Sequence, residues 1–318
     1  MLKDLIIIGA GPGGMSAALY AGRAGVDTLV LEKEPMAGGQ MLNTSTIENY
    51  IGGSSVEAFE LANSMYEQVK GFSSVEFQFS EEVKMIHRND IDEGHIYMVE
   101  TISSTYFTKT IIIASGTHHR ELSVNGVTYN HNNVSNVSYC ATCDFPFYKD
   151  SRVAVIGGGD SALEAAQLLS EVASQVDLIH YRDSYKAKPE LQEQIYKNNK
   201  IKLIVQHEVT GVVTEGDLVK ELSFNKKDSS ETKYSPRHYE GVFPNIGIIP
   251  NTHFMPADSV SLDGSLVVDG NLELYEDEWA GVWAIGDVTS NSHRQVSIAA
   301  GQGAQAALSV YEYLKFYS

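Results

Sequence analysis

The chain has 318 residues, enough for about two domains of ordinary size. Its 43% apolar and 20% charged residues argue against a disordered chain. Its 23 basic against 41 acidic residues, a net charge of −18, argue against the cationic face that nucleic acid or an anionic membrane requires. No apolar run approaches the ~18 residues of a spanning helix. The first strand is expected almost at once, from Asp4 to Ile8, which leaves no room for a leader segment, so the chain reads as cytoplasmic.

The opening stretch, DLIIIGAGPGGMSAALYAGRAG, predicts a buried strand, a Gly-rich turn and a helix. Gly9, Gly11 and Gly14 fall in the G-x-G-x-x-G spacing. The first glycine permits a tight turn, and the second lets a pyrophosphate approach the backbone. The third lets helix and strand pack closely, with phosphate at the helix N-terminus. Glu32 ends the next strand, DTLVLE, where an acidic residue accepts the ribose hydroxyls of an adenosine. The first site therefore reads as FAD or NAD. TKTIIIASGT, at 108–117, reads as a strand running into a small-residue turn.

The two cysteines, Cys140 and Cys143, form a single C-x-x-C followed by Asp144. A zinc site would have to recruit lone histidines such as His131, because there is no second C-x-x-C. Two inert thiols are the other bland reading. The spacing favours a redox pair, since C-x-x-C closes a small dithiol/disulfide loop and lowers a thiol pKa. Asp144 is placed either to protonate the leaving thiolate or to cap a helix.

RVAVIGGGDSALEAAQLLSEVA then repeats the strand–turn–helix plan with Gly157, Gly159 and Ala162. One such match is weak evidence; two in one chain are strong. Here the next strand, VDLIH, ends on His180, with Arg182 and Lys186 close behind. A basic cluster at this point tolerates a 2′-phosphate, so the second site reads as NADPH; a solvated strand end is the alternative for His180 and Arg182. Short strands follow between Leu203 and Val242, with a polar hairpin tip around Lys226–Glu231. The last segment, GVWAIGDVTSNSHRQVSIAAGQGAQAALSV, predicts a strand, the Gly286-Asp287 turn and a helix. Asp287 is placed to bind a ribityl hydroxyl, and the helix start near Arg294 and Gln295 to face a flavin ring with its positive dipole end.

This order predicts an α/β fold of two Rossmann-like, doubly wound nucleotide-binding domains, the second inserted into the first. Residues 1–115 and 246–318 would form a discontinuous FAD-binding domain, and 118–243 an NAD(P)H-binding domain carrying the C-x-x-C. The crossovers are expected near Ala114–Arg120 and Glu240–Gly247, where Gly, Pro and Asn break the apolar runs and a hinge is expected. Nicotinamide and disulfide would share one domain and need the same flavin in the other, so the domains are expected to alternate between two orientations.

These residues resemble the low-molecular-weight, bacterial-type thioredoxin reductases of the FAD-dependent pyridine nucleotide-disulfide oxidoreductase family, along essentially the whole chain. The segments GAGPGGMSAALYAGRAG, GGQMLNTSTIENYIGG, VSYCATCD, VAVIGGGDSALEAA, GVFPNIGIIPNT and GVWAIGDV followed by HRQ carry the likeness. The resemblance implies a homodimer that reduces thioredoxin or a thioredoxin-like protein, with FAD in the first domain and NADPH in the second. It also implies that Cys143 lies nearer the flavin, that Cys140 attacks the partner disulfide and that Asp144 is the acid. By the same matching Gln40, Asn49, Asp287, Arg294 and Gln295 would contact FAD.

Three departures stand out. The family usually shows H-R-R-x-x-x-R where this chain has His180-Tyr181-Arg182 with Lys186, a point charge in place of a fork. Phe145-Pro146 follows Asp144 where glycine is usual, and GVTYNHNNVSN lacks the Pro-Gly-Glu run that generally precedes the cysteines. Alternative expectations are a related enzyme fed by ferredoxin or reduced flavin, a dithiol oxidase, or a flavin-binding sensor. The intact Gly157-Gly158-Gly159 turn favours NADPH, and a sensor would need neither Asp144 nor a second nucleotide site.

Overall fold

The computed structural model describes residues 2–316 apart from 44–45, 48, 53–55, 92–93, 131–132, 227–232, 276 and 291–292, and leaves out the side chains at 143, 233–236 and 277. Most of the polar tip around Lys226–Glu231, and His131, thus lie outside the described residues. The chain divides into two compact units, Met1–His118 with Ile249–Ser318, and His119–Ile248.

In the first unit, β1 (Leu2–Ile8) sends Leu5 and Ile7 to one face and Ile6 and Ile8 to the other. A strand apolar on both sides is what a parallel sheet covered on both faces needs. The helix α1 (Pro12–Ala24) starts on a proline, whose missing N–H has no helical partner to lose, and ends at Gly25 in the left-handed conformation. There follow β2 (Thr28–Glu32), α2 (Ala58–Val69), β3 (Val75–Phe79), β4 (Val83–Ile91), β5 (Gly94–Thr101) and β6 (Thr105–Ile113). The sheet runs β3-β2-β1-β6-β5-β4, with the strand Val282–Ala284 also paired to β6. Its β3-β2-β1-β6 part and Val282–Ala284 are parallel, and β4-β5-β6 is an antiparallel meander. Helices α1, α2 and Val296–Phe316 cover one face. The Ser16 hydroxyl donates to the Ala300 carbonyl at 2.6 Å, which fixes the start of α1 against that last helix.

The second unit holds α3 (Ala141–Asp144), β7 (Arg152–Ile156), α4 (Asp160–Val172), β8 (Gln175–His180), α5 (Pro189–Lys197), β9 (Ile201–Val205), β10 (His207–Glu215), β11 (Leu218–Lys226), β12 (Lys233–His238) and β13 (Gly241–Pro244). A parallel sheet, β9-β8-β7-β13, is covered on one face by α4 and α5 and on the other by the antiparallel β10-β11-β12 ribbon. On this second face sits a fully buried carboxylate, Asp177. Its Oδ2 accepts from Arg152 at 2.8 Å, Arg237 at 2.7 Å and the Tyr239 hydroxyl at 2.7 Å, while Oδ1 accepts from Gln175 at 2.7 Å. The cluster ties β7, β8 and β12 together. Burial pushes the Asp177 carboxyl up, but the bonds from Tyr239, Arg237 and Arg152 outweigh it and hold it below its ordinary value.

Removing this carboxylate strands two guanidinium groups, so Asp177→Ala is expected to destabilise the second unit by about 3–5 kcal/mol in urea unfolding. Because the folded value is depressed, the wild-type contribution is complete above the unfolded carboxyl pKa of about 4 and is lost as pH falls through the lower folded value. A variant with the wild-type midpoint and the wild-type acid transition would show that the cluster adds nothing.

Candidate functional site

The first nucleotide turn is formed by backbone contact. Gly9 sits at φ +103, and a Cβ on Gly14 would stand 1.9 Å from the Gly9 carbonyl oxygen, so only glycine lets α1 start directly on the end of β1. Beside Gly11 the nearest atom to an added Cβ is Gly39 Cα at 4.0 Å, and the Gly38 N–H donates to the Ala10 carbonyl at 2.9 Å. The next loop therefore closes over the turn while leaving room above Gly11. Glu32, at the end of β2, is buried and accepts from the Ala10 N–H at 2.6 Å and the Glu34 N–H at 3.0 Å. Burial raises its pKa and these two N–H groups oppose the rise. Each oxygen keeps a lone pair for a ribose hydroxyl.

Gln40 donates to the Thr117 carbonyl at 2.6 Å and accepts from Asn43 at 3.0 Å. Asn49 donates to Gln295 at 2.7 Å, so two residues separated by most of the chain meet side chain to side chain. Asp287 lies in the single turn Gly286–Val288; burial raises its carboxyl, and the Arg294 charge partly opposes the rise. Sequence reasoning missed Gln302, whose side-chain oxygen accepts from the Gly286 N–H at 2.7 Å and holds that turn. Its one signal is a polar residue among the small ones of GQGAQAAL.

The second turn repeats the construction. Gly157 has φ +151, and an added Cβ would lie 2.2 Å from the Asn245 carbonyl oxygen and 2.8 Å from Ala162 Cβ. Gly159, at the start of α4, faces open space, the seat a pyrophosphate needs. Arg182 and Lys186 are exposed, and the Arg182 guanidinium lies 5.0 Å from the Tyr181 ring centre. His180 is buried, packed against Gly158. Both cradles fit a dinucleotide: glycine backbone leaves space at the helix start in each, with an acidic residue beside the first and two exposed cations beside the second.

The cysteine segment is anchored at both ends. Upstream, the Ser138 N–H donates to the Val242 carbonyl and the Val242 N–H to the Asn136 carbonyl, both at 2.9 Å, which adds the segment to the edge of β13. The Ser138 hydroxyl accepts from the Cys140 N–H at 3.1 Å. Tyr139 stacks on His119 at 4.9 Å. Cys140 is disulfide-bonded, and the chain has one other cysteine, Cys143, whose side chain lies outside the described residues. Downstream, α3 runs into a tighter turn, Phe145–Tyr148, with proline at its start. Phe145 and Tyr148 pack into the core under α4, whereas Phe147 is 76% exposed. Phe145 thus serves as an inward anchor, and the Phe-Pro pair fits the turn without breaking it. Asp144 makes no side-chain capping bond. Burial, and then the Asp144 charge, push the Tyr148 hydroxyl up to about 12.

Two dinucleotide-type turns and a C-x-x-C whose first cysteine, Cys140, is disulfide-bonded define, in one chain, a nucleotide-dependent disulfide oxidoreductase. The sequence profile of the family described as pyridine nucleotide-disulphide oxidoreductase matches residues 3–303. Thioredoxin reductase of Listeria innocua is 36% identical over 99% of this chain and 94% of its own length, and that of Bacillus subtilis 34% over 99% and 95%. The crystal structure of thioredoxin reductase from Streptococcus pyogenes superposes with a TM-score of 0.79 at 34% identity, covering 99% of this chain and 98% of that one. The chain belongs to the FAD-dependent pyridine nucleotide-disulphide oxidoreductase family, as a low-molecular-weight thioredoxin reductase. It is an oxidoreductase that uses FAD and NADPH and reduces disulfides. Among the described residues no helix is long and apolar enough to cross a membrane.

The two turns make separable predictions. Gly14→Ala drives a methyl group into the Gly9 carbonyl and is expected to lower the flavin-to-protein absorbance ratio of the purified enzyme. Gly157→Ala is expected to leave flavin content intact and raise the KM for NADPH by about tenfold or more. Loss of flavin from the Gly157 variant alone would reverse the assignment of the two turns.

Proposed function

We propose that the chain is an NADPH-dependent reductase of thioredoxin or a thioredoxin-like protein, acting as a cytoplasmic homodimer. The observation that carries this reading is the segment holding Cys140: it is fixed upstream through Ser138 and downstream through Phe145 and Tyr148, and Asp144 makes no capping bond beside it. The relatives do not favour the alternative of another electron donor or a dithiol oxidase.

FAD, when bound, supplies two-electron chemistry between nicotinamide and disulfide. In the first unit Gly9, Gly11 and Gly14 leave the backbone open to its pyrophosphate, Glu32 takes the ribose, and Asp287 takes the ribityl chain. Gln40, Asn49, Arg294 and Gln295 are assigned to the same group; the Asn49–Gln295 hydrogen bond supports these two acting together. In the second unit Gly157, Gly159 and Ala162 form the phosphate seat of NADPH, with Arg182 and Lys186 free to meet the 2′-phosphate. In the reduced pair, the Cys140 thiolate attacks a partner sulfur, forming a mixed disulfide and expelling a partner thiolate that takes a proton from Asp144. The Cys143 thiolate then attacks Cys140 Sγ, re-forming the internal disulfide and expelling the partner's second sulfur as a thiolate, which takes a proton from water to complete the dithiol.

The test is a thioredoxin-coupled NADPH oxidation assay with two variants. Cys140→Ser is expected to abolish turnover while NADPH still bleaches the flavin anaerobically. Asp144→Asn is expected to slow turnover by ~10²- to 10⁴-fold with the same bleaching rate. Wild-type turnover by the Cys140→Ser enzyme would remove the cysteine pair from the reaction.

A further inference from the structure

The loop after β8 folds back over the second nucleotide turn. The Lys186 N–H donates to the Gly158 carbonyl at 2.8 Å, and the Lys188 N–H to Asp160 Oδ1 at 2.8 Å. This closure shuts His180 inside, at 6% exposure. Its ring lies against Gly158 so closely that an added Cβ there would stand 2.3 Å from Cε1 and 2.5 Å from each nitrogen. Tyr185 stacks on the ring at 5.4 Å and 22°, and Tyr181 meets it edge-on at 5.0 Å and 66°. Among the described residues, neither ring nitrogen has a hydrogen-bond partner at bonding geometry. Burial lowers the pKa of the ring; the Ser184 backbone opposes this and the Arg182 charge reinforces it.

A phosphate ligand needs a donor N–H or a cation facing the anion. His180 is held by two tyrosine rings and a glycine, and reaching out would empty the space beneath the phosphate turn. Arg182 and Lys186, by contrast, are exposed and carry permanent charge. We propose that His180 is the packing floor of the second nucleotide turn, a positioning residue, and that Arg182 and Lys186 grip the 2′-phosphate without it. This rests on the second unit binding NADPH. It gives His180 a different role from its sequence reading, and it explains how the turn accommodates a tyrosine at 181: the ring covers the histidine and supports the Arg182 guanidinium.

The experiment is calorimetric binding of 2′,5′-ADP and 5′-AMP to the holoenzyme, for wild type, His180→Phe, Arg182→Ala and Lys186→Ala. Wild type is expected to prefer 2′,5′-ADP by about tenfold or more, and His180→Phe, which keeps a flat ring under Gly158, to hold that ratio within about twofold. Arg182→Ala and Lys186→Ala should each cut it by about tenfold. If His180→Phe disturbs the turn, both ligands weaken together and the ratio survives, as the packing role requires. Loss of the ratio in His180→Phe with 5′-AMP affinity intact would overturn the proposal. A wild-type ratio near one would instead bring down the NADPH reading, and the proposal with it. A second measurement needs no substitution: the His180 ring nitrogens should show the same NMR shifts with 2′,5′-ADP as with 5′-AMP, and a shift specific to the 2′-phosphate would contradict the packing role.

Discussion

Both nucleotide sites depend on a helix starting directly on the end of a strand with no side chain between them. Gly14 approaches the Gly9 carbonyl and Ala162 approaches Gly157 at distances that a larger residue could not keep. The gain from this crowding is electrostatic. It aims the unpaired N–H groups of the first helical turn, and the positive end of the helix dipole, at one small volume where a pyrophosphate fits. The β-sheets behind them hold that contact, and the last four residues of each strand before the turn, Leu5–Ile8 in β1 and Val153–Ile156 in β7, are buried and apolar on both faces.

With the turn fixed, the residue at the end of the next strand decides what the site reads. Glu32 is drawn under the first turn by the Ala10 and Glu34 amides, which hold the buried carboxylate in place. The matching position of the second unit carries an imidazole that packs where Glu32 bonds. The same architecture thus gives a carboxylate with spare lone pairs in one unit and a buried imidazole beside two exposed cations in the other. The cysteine segment follows a similar economy: backbone pairing to β13 and two inward aromatic rings fix its ends, and Asp144 is left unbonded between them.

Much of this was legible in the sequence because it is local. Strand–turn–helix spacing, the acidic or basic strand end and the C-x-x-C each occupy a few consecutive residues, and the parallel sheets follow from apolar runs of strand length. What was not legible is long-range or depends on direction. Nothing in Gln302 announces that it will hold the Gly286 turn, and nothing in VDLIH shows Asp177 gathering arginines from two other strands. Asn136 bonds both backbone groups of Val219, a contact across more than eighty positions that no periodicity encodes. His180 is the instructive case: composition counts it with the cations, and nothing in the local sequence shows that it is buried against two tyrosine rings.

With FAD bound, the flavin and the disulfide at Cys140 would give one chain two separate two-electron acceptors. An anaerobic reductive titration of the holoenzyme with dithionite, followed by flavin absorbance and thiol counting, tests it most directly. The account predicts uptake of about four electrons per chain in wild type, with new thiols appearing, and about two in Cys140→Ser. Wild-type uptake of about two electrons, with the flavin fully bleached and no new thiol, would contradict it.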